Sequence, residues 1–78
     1  MTTDMSESEL KQLGNKIKAT RLERSLTQAA VAEKADTSPN YYAQIERGEF
    51  NPSYTLLRSI AKALKVKLIV RSYTVLVV

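Results

Sequence analysis

Apolar residues recur along this chain at helical steps. Leu10, Leu13, Ile17 and Thr20 stand three and four apart, on one face of a helix that the pattern runs from about Ser8 to Glu23. Gly14 lies inside that helix and weakens it by up to about 1 kcal/mol relative to alanine. Arg24-Ser25-Leu26 breaks the pattern, and Thr27 then suits the N-cap of a slim, alanine-rich helix from Gln28 to Ala35. Asp36-Thr37 follows as a turn in which a short polar side chain tolerates left-handed backbone. Ser38 and Pro39 read as an N-cap and a first helical residue, opening a third helix to Arg47 that Gly48 ends.

Glu49 to Pro52 is a loop. Ser53 caps a fourth helix whose stripe of Leu56, Leu57, Ile60, Ala61 and Leu64 is expected to close the fold over the first and third helices. The period then changes. Val66, Leu68 and Val70 alternate with Lys67 and Arg71, and Tyr73 to Val78 is apolar and β-branched, as in a strand. The expected fold is mainly α, a bundle of four to five short helices with a C-terminal strand. Residues 1–7 form a tail, 8–66 the helical domain and 67–78 the strand.

Composition narrows the chemistry. The chain has no cysteine and no histidine, so it lacks a thiolate site, an imidazole ligand and a histidine base. No metal, cofactor or catalytic residue is expected, and a reading as an enzyme has no supporting residues. No stretch reaches the roughly 20 apolar residues of a membrane span, which points to the cytoplasm. The net charge of +4 is unevenly spread: Asp4, Glu7 and Glu9 sit at the front, while nothing acidic follows Glu49. Arg58, Lys62, Lys65, Lys67 and Arg71 therefore lack countercharge in sequence, and a basic domain of this kind attracts polyanions, nucleic acid foremost.

Two short helices joined by a tight turn have the proportions of a DNA-binding helix-turn-helix, although many small helical proteins contain such a corner. If Tyr42 and Ile45 face the core, the outward face of the third helix carries Ser38, Pro39, Asn40, Tyr41 and Gln44. Asn and Gln can pair bidentately with adenine, and Asn40 and Gln44, four apart, point the same way. Pro39 suits a cap or a thymine-methyl contact. Tyr41 suits a phosphate or sugar contact, or covers the helix flank. Gln28, at a helix start, can hold a phosphate or stay a surface glutamine. Arg47, Asn51 and Tyr54 flank the following loop, where phosphate contacts set register.

Arg21-Leu22, Leu26-Thr27-Gln28, Val31-Ala32, Ala35, Ser38, Ile45-Glu46-Arg47-Gly48, Asn51-Pro52-Ser53, Leu56-Leu57, Ile60-Ala61 and Leu64 together resemble the lambda-repressor-like, Cro/XRE-type helix-turn-helix family over about Ile17 to Val66. The resemblance implies base reading from Pro39, Asn40 and Gln44, and a structural ion pair between Arg21 and Glu46. It also marks a departure, since Asp36 stands where the family usually has a turn glycine. The implied function is a transcriptional regulator binding double-stranded DNA as a homodimer. The alternative is an antitoxin whose main partner is a toxin protein. For dimerisation, residues 67–78, with Leu68, Val70, Tyr73, Val75 and Val77, would form a sheet with a second copy and cover an apolar edge. An internal hairpin turning at Arg71-Ser72 is the rival, without a turn glycine, asparagine or proline to mark it.

Overall fold

The computed structural model describes residues 5–71 and 74–77, with side chains through Lys67. Four helices, α1 (Glu7–Glu23), α2 (Gln28–Lys34), α3 (Pro39–Glu46) and α4 (Tyr54–Ala63), precede two strands, β1 (Leu68–Arg71) and β2 (Thr74–Val77). Each helix starts on a hydroxyl cap that accepts a backbone N–H three residues on: Ser6 from Glu9, Thr27 from Ala30, Ser38 from Tyr41 and Ser53 from Leu56. Glu9 returns the bond to the Ser6 N–H, closing a capping box. The first helix thus begins just inside the stretch expected to be tail, because the Ser6/Glu9 pair is a start signal independent of apolar periodicity.

The helix ends share one device. The N–H two residues past each cap turns back onto the last turn: Leu26 to Arg21 (3.1 Å), Thr37 to Ala32 (2.9 Å), Glu49 to Gln44 (2.9 Å) and Val66 to Ala61 (3.0 Å). This is the Schellman arrangement, and it needs a left-handed residue after the cap. Ser25 (φ 56°), Asp36 (φ 59°), Gly48 (φ 75°) and Lys65 (φ 59°) take that place. Asp36 therefore adopts the backbone expected of it.

Leu13, Ile17, Val31, Tyr42, Ile45, Ile60 and Leu64 form the centre of one buried core drawn from all four helices. The α4 stripe packs mainly on α2, where α1 and α3 were expected, while α3 packs on both α1 and α2. Alanine-rich α2 is slim enough to sit between them. An Arg24 Nε–H donated to the Leu64 carbonyl ties the end of α1 to the end of α4.

The C-terminal segment holds two strands where one was expected. They pair antiparallel with each other, Leu68 opposite Val77 through Arg71 opposite Thr74, so the internal hairpin is formed. Pairing two strands of one chain costs far less entropy than recruiting a second chain. β1 lies against α4 and β2 against α1. Tyr73 and the side chains of Leu68, Val70, Val75 and Val77 lie outside the described residues, as does the expected turn residue Ser72.

Candidate nucleic-acid interface

Helix α3 is two-sided. Tyr42 and Ile45 are buried against the domain, as expected, while Ser38, Pro39 and Asn40 are exposed and Tyr41 and Gln44 half-buried. Neither the Asn40 nor the Gln44 amide is hydrogen-bonded among the described residues. Ser38 is committed to its cap, and Pro39 is the first residue of the helix. Tyr41 packs edge-on against Phe50, with ring centroids 4.6 Å apart, so the bland role of flank cover is the one it fills in the free chain.

What holds α3 in place is a buried network at its C-terminal end. Arg21 Nε donates to Glu46 Oε2 at 2.7 Å and Arg21 Nη2 to Oε1 at 3.2 Å, a bidentate fork between α1 and α3. Arg21 Nη1 also donates to the Leu26 carbonyl at 2.9 Å, and Gln28 Nε2 to Glu46 Oε1 at 3.0 Å. The implied ion pair is therefore present, its two side chains 10% and 2% exposed, and Gln28 joins it from α2. Burial opposes ionisation of Glu46, but its hydrogen bonds, Arg21's foremost, outweigh burial and hold the carboxyl below its usual range. The hydrogen bond to Glu46 likewise raises Arg21. The Tyr42 hydroxyl is buried with no hydrogen-bond partner among the described residues, and burial, followed by the neighbouring Glu46 carboxylate, drives its pKa upward.

Gly14 explains how close α1 and α3 come. A Cβ there would lie 2.5 Å from the Ile45 carbonyl oxygen and also against that of Glu46. The glycine that weakens α1 as a helix is the one that lets the end of α3 lie on it.

The remaining expected contacts lie around the loop after α3. Arg47 is the exposed C-cap of α3, with Nε and Nη2 each 3.0 Å from a Glu49 carboxylate oxygen. Tyr54 is 58% exposed at the start of α4, its ring under the Arg58 guanidinium at 6.0 Å. Asn51 is exposed. Sequence reasoning missed the α1 face beside Gln28 and Arg47, where Lys11, Asn15 and Lys18 line one groove with them. Their spacing of four and three was the available signal. Among the described residues no group of carboxylate side chains could hold a metal ion, and no helix is long and apolar enough to cross a membrane.

Known proteins are similar to this chain in sequence or in fold. The immunity repressor protein of Bacillus phage phi105 is 49% identical over 55 residues, covering 70% of this chain and 38% of the repressor's own length. The restriction-modification controller protein C.AhdI from Aeromonas hydrophila superposes with a TM-score of 0.76 at 25% identity, over 77% of this chain and 91% of that one. The controller protein C.Esp1396I, as a tetramer in complex with its natural 35 base-pair operator, superposes with a TM-score of 0.71 at 34% identity, over 74% of this chain and 76% of that one. A helix-turn-helix family profile matches residues 17–70, most of the sequence, and the chain belongs to the lambda-repressor-like, Cro/C1-type helix-turn-helix family.

Proposed function

We propose that this chain is a sequence-specific regulator of transcription that binds double-stranded DNA as a homodimer on an inverted repeat. The observation that carries the reading is α3 itself: one face is buried in the core, the other presents the amides of Asn40 and Gln44 one turn apart, unengaged among the described residues. Asn40 and Gln44 read bases, with A·T pairs favoured. Ser38, Pro39 and Tyr41 border the base-reading surface, and Gln28, Arg47, Asn51 and Tyr54 contact phosphates. The operator complex of C.Esp1396I and the phage immunity repressor support this reading.

A protomer 30 Å in its longest extent covers about one turn of DNA, some 34 Å, so two copies match two half-sites. A hairpin leaves one unpaired edge on each strand, and joining β1 to β1 or β2 to β2 across a two-fold axis makes a four-stranded sheet.

The test is selection from a randomised duplex pool at about 150 mM salt, where nonspecific attraction is weakened. An inverted repeat should be enriched, and Gln44→Ala should relax one position in each half-site, costing about 1–3 kcal/mol of discrimination there. Enrichment of nothing, with binding abolished by salt, refutes the reading and favours a protein partner such as a toxin.

A further inference from the structure

Helix α1 carries a basic row that neither the core nor the Arg21–Glu46 network uses. Lys11, Asn15 and Lys18 fall at i, i+4 and i+7 and line a single open groove with Gln28, Glu46 and Arg47. Three cationic side chains, two amides and one carboxylate thus line it. That carboxylate is nearly inaccessible, 2% exposed in its side chain, and its oxygens are taken by Arg21 and Gln28. Gln28 keeps a second amide N–H beyond that bond. Arg47 is held by Glu49, whereas Lys11 and Lys18 have no carboxylate partner among the described residues. The groove therefore carries positive charge, chiefly from α1, that no ion pair among the described residues neutralises, while on its far side Lys11 and Arg47 also line a second groove with Glu7 and Glu49.

Its position relative to α3 suits one ligand class. Glu46 and Arg47 place the groove at the C-terminal end of α3, opposite the end that bears Asn40. Eight residues of helix span about 12 Å, close to the roughly 12 Å width of the major groove. With Asn40 and Gln44 turned to base edges, groups just beyond the last turn of such a helix come to the phosphate rail.

We infer that this groove seats a phosphodiester of the DNA backbone, held by Lys11 and Lys18 with Asn15 and Gln28 as neutral donors, and that α1 is thereby part of the DNA-binding surface. The inference rests on the regulator reading, and the experiment separates the two. Binding of the intact chain to its selected inverted repeat and to a scrambled duplex is measured from 50 to 200 mM salt, for wild type, Lys11→Gln, Lys18→Gln and the double variant. The double variant should flatten the slope of log affinity against log salt by about 0.9 per protomer and weaken binding to both duplexes about equally. Base preference and the thermal melt should stay those of the wild type, because both lysines are exposed. If the wild type selects the inverted repeat but the double variant keeps its slope and affinity, the groove is not a phosphate site and the regulator reading stands. If the wild type discriminates between no duplexes, the regulator reading fails and the groove assignment falls with it.

Discussion

Glu46 receives hydrogen bonds from two other helices at once, Arg21 from α1 and Gln28 from α2. Truncating either charged member leaves the other buried and uncompensated, so Arg21→Ala should lower unfolding free energy by about 3–5 kcal/mol. A urea titration that returns the wild-type midpoint would contradict this. Replacing both members together, Arg21→Met with Glu46→Leu, should recover most of the loss. Because the Glu46 carboxyl titrates below its unfolded value, its contribution is complete above about pH 5 and fades as pH falls through the unfolded and then the folded value. Glu46→Gln should flatten that acid limb of the stability curve. Gly14 makes an opposite kind of point. Helix propensity predicts that Gly14→Ala gains about 1 kcal/mol. The carbonyls of Ile45 and Glu46 stand where the methyl would go, so the expected outcome is a loss of about 1–3 kcal/mol on denaturation.

At the scale of elements, the helix starts were legible because caps are local: Thr27, Ser38-Pro39 and Ser53 each announce a helix within three residues. The helix ends were half legible. Gly48 and Asp36 signal left-handed backbone by their chemistry, but Ser25 and Lys65 take the same conformation without a residue type that advertises it. Lys65→Gly removes the steric cost at a solvent-exposed position and should add about 1 kcal/mol. That corresponds to a melting temperature higher by about 4–8 °C. The role of Gly14 was not legible, since it depends on a residue more than thirty positions away. The hairpin was hidden for the same lack of turn chemistry that made it only a rival reading. Of the candidate site, the outward amides of α3 followed from periodicity, and the Arg21–Glu46 pair from family resemblance. The turning of Gln28 onto Glu46 and the α1 basic row required the packing of three helices, which no local pattern encodes.

For the whole molecule, the decisive matter is how two copies meet. If the hairpin joins them, the intact chain should sediment as a dimer at micromolar concentration. A chain ending at Val66 should then keep its helical circular dichroism yet sediment as a monomer and lose preference for an inverted repeat over a single half-site. A monomeric intact chain that still selects inverted repeats would place the two-fold contact elsewhere. The contact at Gly14 reaches further than stability. With the end of α3 lying on the backbone of α1 and clamped by a buried fork, a change of tilt at that end would have to break the fork and open the contact at Gly14. On the proposed reading the protein is the stiff partner and the duplex must do the bending. Operators would then be ranked by the flexibility of base pairs that no side chain touches, as well as by the bases that Asn40 and Gln44 meet.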